Sequence, residues 1–337
     1  MKILVYGAGV LGSLYAARLQ RAGHEVSLLA RGERLAALRR SGLALQAEGS
    51  PWRCYATVNV VEALAPEDAY DLVLVMVRRN QLDSVLPALA ANRRTPSILL
   101  MLNYPGNLQE LVRLLGRERV LLGFPGAGGA REGALVRYRI RPGALQPTTI
   151  GELDGRLTPR LRQIARALRR AGFPTAISHH MEAWLKTHAA WVSPVAQALY
   201  MAGGDRRRPA RTRDGVVLLV RAIREGFAAL RRQGIPITPA RLRLFEWLPE
   251  PLLVGAWRLV LGTRTAETVM ARHANAARDE MQCLADELQP LVRASGVPTP
   301  ARDRLQAYLD PATPPAREGA ATLALGWRSL WVNLGAA

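Results

Sequence analysis

The stretch KILVYGAGVLGS, residues 2–13, decides the fold of this chain. A short apolar run enters glycines at 7, 9 and 12, spaced G-x-G-x-x-G, and VLGSLYAARLQRAG then carries helical periodicity to Gly23. In a chain with 29 glycines the spacing alone is weak; the strand before it and the helix after it make it specific. Gly7 permits a tight turn, Gly9 lets a pyrophosphate approach the backbone, and Gly12 lets the helix pack on the sheet. Ala8, Val10 and Leu11 complete the turn, and the helix start offers unpaired N–H donors to a phosphate. The reading is a dinucleotide-binding unit, against a purely structural glycine turn.

Working outward, HEVSLLAR reads as a second strand. An NAD site often places an acid at the end of this strand, bonded to the ribose hydroxyls. Here Arg31 stands there, with Glu33 and Arg34 beyond it. A guanidinium forks a 2′-phosphate, so NADP is the expected cofactor. The bland alternative is one more surface arginine. DLVLVMV (71–77) is the next buried strand, followed by Arg78 and Gln81 near the cofactor mouth. SILLMLN (97–103) ends at Asn103, placed to orient a cofactor or substrate oxygen, or to cap a turn.

Alternating short strands and helices continue to about residue 125, with helices expected over RGERLAALRRSG, QLDSVLPALAANR and QELVRLLG. LALQAEG and WRCYATVNV suggest a hairpin or short strands, and GALVRYRI and TTIGEL are extended. This predicts an α/β architecture: an N-terminal Rossmann-like, mostly parallel sheet over residues 1–180. From 181 to 337, long apolar or amphipathic segments predict a mainly helical domain for substrate and dimerisation. A homodimer is the expected assembly, with a monomer as the alternative.

The chain of 337 residues is 49% hydrophobic and carries a net charge of +19. It has no apolar run long enough for a membrane span, and its N-terminus reads as structure rather than a targeting segment. The two cysteines, Cys54 and Cys283, and the five histidines form no metal spacing, so no metal is expected and the setting is read as cytoplasmic. The basic residues are scattered apart from DRRRPARTRD at 205–214, and no nucleic-acid-binding motif accompanies them. They read as a solvated basic face that favours a small anionic ligand; neither nucleic acid nor membrane is an expected partner.

Of the 46 lysines and arginines only two are lysines, Lys2 and Lys186. Lys186 lies where the sheet domain passes into the helical one, and the cleft expected there is a natural substrate location. Carbonyl reduction needs a hydride at carbon and a proton at oxygen; an ammonium supplies the proton, whereas a guanidinium holds its own too tightly. The alternative is an exposed Glu182–Lys186 pair one helical turn apart. His188 points about 200° away from Lys186 on a regular helix, and it ranks with His179 and His180 below the lysine.

Taken together, ILVYGAGVLGSLYAARLQRAGHEVSLLARGERLAAL, DLVLVMVRRNQLDSVLPAL, LLMLNYPGN, RVLLGF and MEAWLKTHAAWVSP resemble the ketopantoate reductase (2-dehydropantoate 2-reductase) family. The resemblance implies a Rossmann domain, a helical domain and NADPH-dependent reduction of ketopantoate to pantoate, on the route to pantothenate. It puts the nucleotide glycines on Gly7, Gly9 and Gly12, the phosphate-selecting arginine on Arg31 and the general acid on Lys186. Asn103 falls on a family asparagine, Glu280 on a glutamate that contacts substrate hydroxyls, and Gln81 on a retained glutamine. Arg78 replaces a lysine, and Tyr104 a glycine, while Gly106 keeps a later one. The asparagine four residues past the general acid is Ala190 here. In the late substrate motif, Thr268 replaces serine and Arg272 replaces aspartate. These departures leave the substrate open: a 2-keto acid, or another carbonyl or imine reduced by a related NADP-dependent oxidoreductase. A non-catalytic NADP-binding sensor or scaffold is the third reading.

Overall fold

The computed structural model describes residues 1–203, 213–263 and 277–316. The chain divides into two compact units, Met1–Asn103 with Asn107–Glu182, and Tyr104–Gly106 with the residues from Ala183 onward.

In the first unit β1 (Lys2–Tyr6) is buried from Ile3 onward and leads through Gly7 into α1 (Val10–Arg21). β2 (Glu25–Leu29) and α2 (Gly32–Ser41) follow, and Gly42 ends α2 at φ 64°. β3 (Leu43–Ala47) and β4 (Arg53–Ala56) form the expected hairpin, with Leu43 opposite Ala56. β5 (Asn59–Val61) precedes β6 (Leu72–Val75), α3 (Leu86–Ala91), β7 (Ile98–Met101), α4 (Leu108–Leu115) and β8 (Val120–Phe124). The unit closes with β9 (Ala127–Glu132), β10 (Leu135–Ile140), β11 (Thr148–Glu152), α5 (Pro159–Arg170) and β12 (Thr175–Ile177).

The large sheet has the order β12-β11-β8-β7-β6-β1-β2-β5. It is parallel except where β11 runs against β8. β6 (LVLV) and β7 (ILLM) are buried at every position, as central parallel strands covered on both faces must be. A second sheet, β4-β3-β10-β9, collects the hairpin and the extended RYRI segment, a pairing the sequence did not announce. Inside the unit, Tyr15 stacks on Phe173 at 3.9 Å and its hydroxyl meets Thr148 Oγ1 at 2.7 Å.

One expected helix is shortened. The pattern over 81–93 yields only Leu86–Ala91 as α-helix, after a single turn of 3-10 helix at Arg79–Gln81. Pro87 is the cause: it lacks an N–H and disfavours helix before it, so it is tolerated only in a first turn.

The second unit is helical among its described residues, with α6 (Met181–Met201), α7 (Arg213–Arg232), α8 (Leu244–Trp247), α9 (Glu250–Leu261), α10 (Arg278–Ala294) and α11 (Pro300–Gln306). The α7 helix packs against α8, α9, α10 and α11. The core joins Ala189, Ala190 and Leu199 to Ile223, Phe227, Trp257 and Leu284. Arg221 of α7 holds both oxygens of the buried Glu250 carboxylate, at 3.0 and 2.8 Å. No helix among the described residues is long and apolar enough to cross a membrane.

Candidate functional site

The glycine turn has the geometry that each glycine demands. Gly7 sits at φ +117°, and a Cβ there would lie 2.7 Å from the Met76 carbonyl oxygen. A Cβ on Gly12 would fall 1.7 Å from the Gly7 oxygen, so no side chain is possible where α1 crosses the turn. Gly9 is different: a Cβ there would meet nothing within 4 Å. Gly9 caps α1 without a side-chain hydrogen bond, and the first turn of α1 carries no acidic residue. The helix start is therefore open to an anion, and these residues fit a dinucleotide pyrophosphate.

Positive charge surrounds the turn. Arg31 precedes α2, is exposed, and donates from Nη2 to the Tyr6 hydroxyl at 2.8 Å. Tyr6 is the last residue of β1; burial raises its pKa, partly offset by the Arg31 charge. Arg34, one turn further on, donates to the Ala8 carbonyl at 3.2 Å and to Ser13 Oγ at 3.1 Å. Burial, and then repulsion from Arg131 of β9, lower the Arg34 pKa. Under-solvated cations at one turn favour a phosphate-bearing ligand. Tyr6 and Arg131 are thus candidate site residues beside Arg31 and Arg34 that the sequence does not single out. The run R-G-E-R already spaced Arg34 one turn from Arg31, but nothing local pointed to Arg131.

Arg78 and Gln81 adjoin the end of β6, and both are exposed. Gln81 Oε1 accepts from the Arg78 backbone N–H at 3.2 Å, so this glutamine shapes the loop that presents Arg78. Asn103 is buried two residues past β7. It does not cap the following helix: Asn107 does, accepting from the Gln109 N–H at 2.9 Å.

Lys186 of the second unit and Glu182, the last residue of the first, are each half-buried on the first turns of α6. His188 is taken up by packing, stacked on Trp184 at 5.1 Å and tilted against Trp191 at 5.9 Å. His179 and His180 are exposed, and His179 Nδ1 meets the Gly155 carbonyl at 2.7 Å. Ala190 is fully buried and faces Gly226 of α7, whose added Cβ would lie 3.3 Å from the alanine Cβ. The asparagine that the family resemblance implies at 190 is replaced here by a buried alanine in this tight contact. Glu280 is buried on the first turn of α10. Burial chiefly lifts the Tyr200 phenol to about 12; Arg278 opposes the shift, and Asp279 and Glu280 add to it. Gly106 is confined, since a Cβ there would lie 3.3 Å from Glu287 Oε2. Thr268, Arg272 and residues 205–212 of the basic patch lie outside the described residues. Among the described residues no group of three or more His, Cys, Asp or Glu is placed to hold a metal ion.

Comparison with known proteins agrees with this geometry. Residues 3–155 match the family model described as Ketopantoate reductase PanE/ApbA. The 2-dehydropantoate 2-reductase of Archaeoglobus fulgidus is 28% identical over 208 residues, 60% of this chain and 66% of that protein. The 2-dehydropantoate 2-reductase of Aquifex aeolicus is 24% identical over 317 residues, 90% of this chain and 94% of that protein. Among solved structures, D-mandelate dehydrogenase with NADH and anilino(oxo)acetate superimposes with a TM-score of 0.75 at 17% identity, covering 92% of this chain and 97% of that one. Residues 3–155 are homologous to the ketopantoate reductase (PanE/ApbA) family. Fold and homology support an NAD(P)-dependent oxidoreductase of that superfamily.

Proposed function

We propose that this chain reduces a 2-keto acid to a 2-hydroxy acid with NADPH, and that Lys186 is the general acid. The observation that carries the reading is the open Gly9 turn flanked by Arg31 and Arg34. A bound nicotinamide cofactor supplies the hydride that adds to the carbonyl carbon. The α1 start and the glycine backbone hold the pyrophosphate, and Arg31, oriented by the Tyr6 hydroxyl, takes the 2′-phosphate. Arg34 adds positive charge, and Arg78 at the end of β6 adds another donor to the cofactor. The Lys186 ammonium hydrogen-bonds the carbonyl oxygen and gives it a proton as the alkoxide forms. Asn103, Glu280 and Thr268 are assigned to the substrate.

One observation favours a substrate other than ketopantoate. Ala190 is consumed by packing against Gly226, so this pocket lacks the amide expected four residues past the acid. A larger or more apolar 2-keto acid, or another carbonyl or imine, suits such a pocket. The reading includes a cytoplasmic homodimer, for which exposed Leu252, Leu259 and Trp247 offer apolar surface.

The test is NADPH oxidation with ketopantoate and a panel of branched and aromatic 2-keto acids. Turnover of ketopantoate places the chain on the pantothenate route; turnover of another acid keeps the reaction and changes the substrate. Tight NADPH binding without turnover of any carbonyl leaves a nucleotide-binding scaffold and removes the reductase reading.

A further inference from the structure

A cavity of about 660 Å³ is bordered by Arg93, Arg94, Thr95, Arg119 and Arg160 of the first unit. The topology separates it from the glycine turn. Asp71, Ser97 and Arg119, which also border it, immediately precede the first residues of the parallel strands β6, β7 and β8. Gly7 and Arg78 follow the other ends of β1 and β6. The cavity therefore opens at the opposite edge of the sheet from the nucleotide turn.

Its lining sets four guanidinium groups against two carboxylates, Asp71 and Glu118. Two of the four are committed to structure. Arg119 is buried and donates to the carbonyls of Thr95 (3.0 Å), Leu115 (3.2 Å), Leu89 (3.5 Å) and Asn92. Arg160 grips both oxygens of Glu152, at 2.8 and 2.6 Å. The other two face solvent with capacity to spare. Arg94 donates to the Glu67 carbonyl at 3.1 Å, and Arg93 makes no hydrogen bond or ion pair with the described residues. Beside them the Thr95 side chain is fully buried, and its hydroxyl has no hydrogen-bond partner. A buried hydroxyl is rarely left unmade without a reason. Burial first, and the Arg93 charge second, lower the Arg119 pKa, so like charges are crowded at this edge.

We propose that this cavity binds a small phosphorylated metabolite, with Arg93 and Arg94 on its phosphate oxygens. A guanidinium forks phosphate oxygens, and an anion relieves the repulsion between Arg93 and Arg119. The volume accommodates a ligand of metabolite size.

Isothermal titration of the full chain with inorganic pyrophosphate, in saturating NADPH, tests this. The NADPH occupies the glycine turn, so the signal reports a second site. Binding is expected to persist and to weaken at least about tenfold in Arg93→Glu/Arg94→Glu, with NADPH affinity unchanged. Abolition of the signal by NADPH overturns the proposal, as does no response to the double variant. Equal weakening by Arg293→Glu/Arg304→Glu, two exposed arginines of the second unit, marks general charge attraction and also overturns it. Citrate binding more tightly than pyrophosphate overturns the phosphate assignment.

Discussion

Ala190 of α6 and Gly226 of α7 meet at a close, buried contact. A Cβ built on Gly226 would lie 3.3 Å from the Ala190 Cβ and 3.5 Å from its carbonyl oxygen. Ala190→Asn, which restores the family residue, is therefore expected to lower stability by about 1–3 kcal/mol through overpacking. Urea unfolding checks this. Unchanged stability together with improved ketopantoate turnover would show that position 190 does reach the substrate.

The Tyr6–Arg31 hydrogen bond holds the proposed 2′-phosphate ligand Arg31 at the end of β1. Arg31→Ala is expected to weaken NADPH by about tenfold or more and to leave NADH nearly unchanged. Tyr6→Phe keeps the buried ring but frees the guanidinium, with an expected loss of roughly three- to tenfold for NADPH alone. Nucleotide fluorescence titrations measure both. Equal losses for the two nucleotides sink the assignment to the 2′-phosphate.

Gly9 and Gly12 separate binding from folding. Gly12→Ala puts a Cβ 1.7 Å from the Gly7 oxygen and is expected to lower the melting temperature strongly. Gly9→Ala meets nothing in the protein, so it should melt like the parent while binding NADPH much more weakly. If Gly9→Ala retains full affinity, the pyrophosphate does not lie over that glycine.

Lys186→Ala is expected to lower kcat by roughly 10²–10⁴, the usual worth of a positioned acid, with NADPH affinity within about twofold. Lys186→Arg should not restore the rate, because a guanidinium keeps its proton. Recovery with arginine would assign the residue to electrostatic stabilisation alone. The readout is the kcat–KM split with whichever 2-keto acid turns over.

His24 gives a pH signature. Burial, the N-terminal ammonium and Arg170 lower its pKa in the folded state. The folded chain therefore binds this proton less readily than the unfolded chain, and stability falls as pH drops through and below the ordinary imidazole range of about 6.5. Melting curves from about pH 7.5 to about 5.5 should show a smaller acid loss in His24→Gln than in the parent. The same loss in both assigns the acid sensitivity to other groups.

The nucleotide turn was legible because its parts are local. Strand, glycines and helix follow one another within residues 2–21, and each glycine has a steric reason readable from the backbone. The change from strand-helix alternation to long helices near residue 181 was equally plain, because hydrophobic periodicity is a property of neighbouring residues. The helix over 81–93 misled because its apolar spacing was read ahead of Pro87.

Residue types and their order thus determined a strand–glycine-turn–helix unit, an arginine at position 31 after the second strand and a lone internal lysine at Lys186. The tertiary structure alone decided what surrounds them. Tyr6 reaches Arg31 because β1 and β2 are parallel neighbours, with Tyr6 paired to Leu29. The charge of Arg131 acts on Arg34 from a second sheet, and Ala190 packs beside Gly226 of α7. Such contacts join positions far apart in the chain, so no local pattern encodes them. They exist only once burial of the two cores has brought the segments together.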